Sequence, residues 1–140
     1  DELYRLFLDD SASKAFLHSH SFTGNPLACS AALAVLDVLE KDDVLAANRL
    51  RAERLTARLQ RVPRHPRVRH FRQLGMIWAF DVDTADANFS NRYHQTALQH
   101  GLMLRPIGNT LYFMPPYVMD EAACAHLAHG ALAALNQALA

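Results

Sequence analysis

A chain of 140 residues with 51% hydrophobic and 20% charged side chains has the balance of one globular domain, not of a disordered or fibrous protein. Its 14 basic residues offset 14 acidic ones, so nothing in the net charge draws it broadly to nucleic acid or to an anionic membrane. No apolar run approaches the roughly 18 residues of a membrane span, and Asp1-Glu2-Leu3-Tyr4-Arg5 lacks the basic-then-apolar order of a secretory leader.

In chain order, Leu3, Leu6 and Phe7 form the apolar stripe of a short helix over residues 1–8. The chain does not start on Met, and no N-cap precedes that stripe; both predict a piece of a longer polypeptide. Residues 9–13 read as a polar loop, and Ala15-Phe16-Leu17-His18 as a short strand or extended entry. Asn25 followed by Pro26 is a helix start, with Asn as N-cap and Pro at the first helical position. From Leu27 to about Lys41, Cys29, Ala32, Leu33, Leu36 and Leu39 recur at helical spacing, which predicts a helix buried on most of its surface. The two cysteines, Cys29 and Cys124, are far apart and lack metal-ligand spacing; they read as small buried side chains in a reduced cytosol.

Asp42-Asp43 ends that helix and can cap the next. Residues 44–62 set Leu45, Leu50, Leu55, Leu59 and Val62 against Arg49, Arg51, Arg54, Arg58 and Arg61, a basic face read as solvated and not as a binding patch. Pro63 and Pro66 stop the helix. Residues 68–74 and 76–82 read as strands joined near Gly75, the second with Ile77, Ala79 and Asp81 on one face and Met76, Trp78, Phe80 and Val82 on the other. Residues 88–100 predict a helix with Gly101 as its C-cap. A strand over 102–105, a turn over 106–109 and a strand over 110–114 follow, ended by Pro115-Pro116. Asp120 caps a last Ala-rich helix. The expected fold class is α/β: a mixed two-layer domain, a small and largely antiparallel sheet covered by helices.

Two segments carry a resemblance. His18-Ser19-His20-Ser21-Phe22-Thr23-Gly24-Asn25-Pro26-Leu27-Ala28-Cys29 resembles a stretch of the class III (ω-type) aminotransferases. Arg105-Pro106-Ile107-Gly108-Asn109-Thr110-Leu111-Tyr112-Phe113-Met114-Pro115-Pro116-Tyr117 resembles a stretch of those members that act on 8-amino-7-oxononanoate. Ornithine and 4-aminobutyrate members resemble it around Pro-Pro but lack the Arg-Pro-x-Gly lead. The resemblance covers nearly the whole chain and only the C-terminal third or so of such an enzyme. It implies a fold-type I transferase that works with pyridoxal 5'-phosphate as a cytoplasmic homodimer. Residues 1–30 would be a segment returning from the large cofactor-binding domain, and residues 31–140 the small C-terminal domain. The implied reaction moves an amino group from S-adenosylmethionine, or from lysine in some relatives, to 8-amino-7-oxononanoate, giving 7,8-diaminononanoate for biotin synthesis.

Transamination needs a lysine amine to hold the cofactor and to shuttle a proton. The chain has only Lys14 and Lys41, and the family's lysine sits well upstream of the Gly-Asn-Pro helix. No catalytic residue and no covalently bound pyridoxal phosphate is therefore expected here. Ser21 is the cofactor candidate: a hydroxyl just before a helix N-terminus suits a phosphate, and the resemblance assigns it to the cofactor of the neighbouring subunit. A capping or turn serine is the plain alternative. His20 and Phe22 flank it as lining, and Thr23 offers a second hydroxyl.

Arg105 is the substrate candidate. Its planar, permanent cation suits a carboxylate, and the resemblance assigns it to that of the amino-oxononanoate; the alternative is a strand-end ion pair. Tyr112 would line the same pocket, or simply pack. The histidines lack metal spacing, including His126 and His129, so no metal is expected. Two other functions stay open: a sibling class III enzyme with another substrate, and a stand-alone α/β module that acts by association without chemistry.

Overall fold

The computed structural model describes residues 2–8, 14 and 24–140, and the chain divides into two compact units, residues 1–42 and 43–140. The expected loop over 9–13 and the extended entry at 15–18 lie outside the described residues.

The first unit contains α1 (Glu2–Arg5) and α2 (Pro26–Lys41). The start of α2 follows from its sequence. Asn25 is extended and its side chain accepts from Leu27 N (3.0 Å) and Ala28 N (3.4 Å), with Pro26 next in the first turn. The burial expected of α2 is not met, since none of its residues is buried and Leu27, Leu33, Val35 and Leu36 are exposed. An Ala- and Leu-rich helix buries its surface only where a second layer lies against it, and the described residues of this unit supply none. Cys29, on its first turn, is exposed and Cys124 only half-buried, so neither is the buried thiol expected.

The second unit holds α3 (Val44–Arg58), β1 (Val68–Leu74), β2 (Ile77–Val82), α4 (Phe89–Gln99), β3 (Thr110–Phe113) and α5 (Glu121–Leu139). The strands form one antiparallel sheet in the order β1-β2-β3. Alternation along β2 and β3 sends Trp78, Phe80, Val82, Leu111 and Phe113 into the core, where they meet Leu55, Phe89, Tyr93, Ala131 and Leu135 from the helices. Phe80 lies edge-on to Phe113, with ring centres 5.8 Å apart. The opposite face carries Ile77, Ala79 and Asp81, as the sequence pattern predicts, with Thr110 and Tyr112 beside them.

The buried stripe of α3 is Asn48, Ala52 and Leu55, continued by Leu59 and Val62, while Leu45 and Leu50 are exposed. The leucine count misplaced this face by part of a turn, because a small Ala and a hydrogen-bonding Asn occupy core positions. Asp43 is the N-cap of α3 but sits in the left-handed region at φ 44° and makes no capping bond. Gly101, at φ 71°, does end α4: Leu102 N donates to Ala97 O (2.9 Å) and Gly101 N to Leu98 O (3.0 Å), a Schellman pair. Asp120 caps α5 through Ala123 N at 2.7 Å.

Two local features depart from the sequence pattern. β1 bulges between Arg69 and Arg72, where His70 takes φ 49°. Residues 102–105, expected as a strand, join no strand ladder. Their neighbours show why: His94 Nδ1 lies 2.7 Å from Leu104 O, and the Ser90 hydroxyl donates to Pro106 O at 3.1 Å. Side chains of α4 take the carbonyls that a neighbouring strand would otherwise bind.

Candidate substrate groove

An open groove of about 640 Å³ lies beside residues 102–105, lined also by the end of β3 and by α5. Its walls are largely apolar: Met103, Met114, Pro115, Met119 and Leu127 contribute, with His126 from α5. Arg105 and Tyr112 both line it. They come together because the chain reverses between them. Ile107 and Thr110 exchange both backbone hydrogen bonds (2.9 and 3.0 Å), and Gly108 at φ 57° occupies the first corner position. Alternation then sets Leu102 and Leu104 inward and Met103 and Arg105 outward.

Arg105 is exposed and, among the described residues, pairs with no carboxylate. Arg49, Arg51, Arg54, Arg61, Arg64 and Arg67 likewise have no carboxylate partner among the described residues, but four arginines of the unit do. Arg58 pairs with Glu121, Arg69 with Asp83 (3.3 Å), Arg72 with Asp81 (3.3 Å) and Arg92 with Asp86 (2.6 Å). A guanidinium with open donors at the edge of an apolar groove suits a carboxylate at the end of an aliphatic chain.

A smaller cavity of about 170 Å³ lies between α3 and the start of α5, with Arg51, Arg54, Glu121 and Cys124 in its wall. Burial and the Glu121 carboxylate push the Cys124 thiol above its usual pKa, which argues against a nucleophile there.

Ser21, His20 and Phe22 lie outside the described residues, as does Thr23. Next to them, the first free amides of α2 are already taken by Asn25. Of the two lysines, Lys41 ends α2. Sequence reasoning singled out Arg105 and Tyr112 but missed Met103, Met114 and His126. The two-residue spacing of Met103 before Arg105 and of Met114 after Tyr112 could have flagged both methionines.

The chain resembles known proteins over most of its length. The sequence profile described as Aminotransferase class-III matches residues 1–139. An adenosylmethionine-8-amino-7-oxononanoate aminotransferase of Helicobacter pylori is 39% identical over 127 residues, covering 86% of this chain and 29% of that protein. An acetylornithine aminotransferase of Synechocystis is 35% identical over 126 residues, covering 88% of this chain and 28% of that protein. The crystal structure of an adenosylmethionine-8-amino-7-oxononanoate aminotransferase from Methanocaldococcus jannaschii superposes with a TM-score of 0.74 at 27% identity, over 97% of this chain and 33% of that one. The chain thus spans about three tenths of the length of these relatives. Solved transaminases share its mixed α/β arrangement, and with the profile running almost from end to end, the chain belongs to the class-III aminotransferase family.

Proposed function

We propose that this chain is the C-terminal part of an aminotransferase that converts 8-amino-7-oxononanoate to 7,8-diaminononanoate, and that Arg105 receives the substrate carboxylate. The observation that carries this is the state of Arg105: exposed, without an acidic partner among the described residues, and on the wall of an apolar groove it shares with Tyr112. The groove would take the aliphatic chain of the substrate while the guanidinium takes its charged end. The name of the Helicobacter relative supports both the amino acceptor and S-adenosylmethionine as the donor.

Pyridoxal 5'-phosphate, the cofactor on which class III enzymes depend, supplies the electron sink for amino-group exchange when bound. Ser21, with His20 and Phe22 beside it, is proposed to approach its phosphate from the neighbouring subunit of a homodimer. Residues 1–30 are proposed as the return from the cofactor-binding domain, and residues 31–140 as the small domain. The exposed apolar side chains of α2 support a role against a further polypeptide surface. Among the described residues no helix is long and apolar enough to cross a membrane; placement in the cytoplasm is part of the proposal.

The acetylornithine enzyme, 35% identical, supports a second reading: a sibling aminotransferase with another amino-group acceptor. The two readings separate in an assay of the complete aminotransferase that carries this segment. Transamination of 8-amino-7-oxononanoate with a higher kcat/KM than the aldehyde that corresponds to N-acetylornithine supports the first. The reverse order would overturn it.

A further inference from the structure

We infer that Ser90 and His94 of α4 are positioning residues that set the direction of the Arg105 side chain; this rests on Arg105 as the carboxylate ligand. The two residues lie one turn apart on the same face of α4 and are both half-buried. His94 Nδ1 stands 2.7 Å from the carbonyl oxygen of Leu104, and the Ser90 hydroxyl donates to the carbonyl oxygen of Pro106 at 3.1 Å. These carbonyls belong to the residues on either side of Arg105. A carbonyl only accepts, so Nδ1 of His94 carries the proton and donates.

Among the described residues, these α4 side chains are the hydrogen-bond partners of the Leu104 and Pro106 carbonyls. Residues 102–105 join no strand ladder, and the carbonyls of the two residues flanking Arg105 bond to α4. Upstream, Leu102 N is tied to Ala97 O of the same helix at 2.9 Å. Downstream, Pro106 keeps Arg105 extended by its ring, and the Ile107–Thr110 pair closes the hairpin. Arg105 itself forms no side-chain bond among the described residues that would aim it. Its aim is therefore a property of the backbone, and the two α4 side chains fix that backbone from both sides. An Arg that must meet a carboxylate with two parallel donors loses much of its grip when its Cα tilts.

The test is steady-state kinetics on the complete aminotransferase carrying this segment, with the wild type, His94→Ala, His94→Asn, Ser90→Ala, Arg105→Ala and the double variant His94→Ala/Arg105→Ala. Loss of one positioning hydrogen bond is expected to raise KM for the keto acid by roughly fivefold, with kcat and the KM for the amino donor little changed. Asn at position 94 offers a donor near the site of Nδ1 and should restore most of the wild-type KM. In the Arg105→Ala background, His94→Ala should add nothing, because the group it aims is gone. Equal increases in both KM values, failure of His94→Asn to rescue together with no effect of Ser90→Ala, or full additivity with Arg105→Ala would each overturn the inference. If Arg105→Ala alone leaves the keto-acid KM unchanged, the underlying reading of Arg105 fails instead, which keeps the two failures apart. Should His94→Ala unfold, Ser90→Ala carries the same comparison.

Discussion

Arg105 and Tyr112 line one groove because a two-residue turn folds the chain back between them. Gly108, at φ 57°, is the position in that turn where an L side chain is strained. No neighbouring atom would meet an added Cβ there, so the strain lies in the backbone alone. Gly108→Val should lower unfolding stability by about 1–2 kcal/mol, and Gly108→Asn by less, since Asn visits the left-handed region more readily. Thermal unfolding of the three proteins checks the order; equal stability of the Val variant and the wild type would remove the turn constraint.

Trp78 is fully buried, and its indole N–H donates to the Thr56 hydroxyl at 2.8 Å. Trp78→Ala is expected to cost about 3–5 kcal/mol, as for other large aromatic truncations in cores. Thr56→Val, which leaves the indole donor unpaired, should cost about 1–3 kcal/mol. Urea denaturation followed by circular dichroism distinguishes the two, and a neutral Thr56→Val would mean that the indole proton is satisfied otherwise.

Across β2 and β3, Asp81 accepts from the Thr110 hydroxyl at 2.8 Å. This bond first, then His70, holds the Asp81 carboxyl below its ordinary pKa; burial opposes them, and Arg72 adds a smaller lowering. A carboxylate whose folded pKa is depressed stabilises the fold above its unfolded value and loses that contribution as pH falls through the folded one. The stability advantage of wild type over Asp81→Asn should therefore shrink as pH drops below about 4. A gap that stays constant on acidification would contradict the assignment.

The bulge in β1 supplies another check. His70 sits at φ 49°, where a β-branched residue is strongly disfavoured. His70→Val and His70→Gly both remove the imidazole from Asp81, so their difference isolates the backbone. The Val variant should be less stable than the Gly variant by about 1–2 kcal/mol; the opposite order would show that the bulge relaxes.

Much of this fold is legible in local chemistry. Asn25-Pro26, Gly101 and Asp120 mark helix ends by caps that need only neighbouring backbone, and the alternation in β2 names its inner face correctly. Features decided by distant partners are not legible in this way. Residues 102–105 look like a strand, yet their flanking carbonyls go to Ser90 and His94, a choice made by how α4 packs. The stripe of α3 runs through Asn48 and Ala52, which no leucine count identifies. α2 has the composition of a buried helix without burial in its own unit. At the groove, Arg105 and Tyr112 came from resemblance, while the missing ion pair of Arg105 is visible only in three dimensions.

The central claim is that the Arg105 guanidinium meets the carboxylate of the keto-acid substrate. The most direct measurement compares that substrate with its methyl ester in the complete enzyme, for the wild type and Arg105→Ala. Methylation and Arg105→Ala should each raise KM by roughly tenfold or more, the scale of a lost charge-assisted hydrogen bond, and together they should raise it no further. Two effects that multiply would show that the carboxylate is held elsewhere.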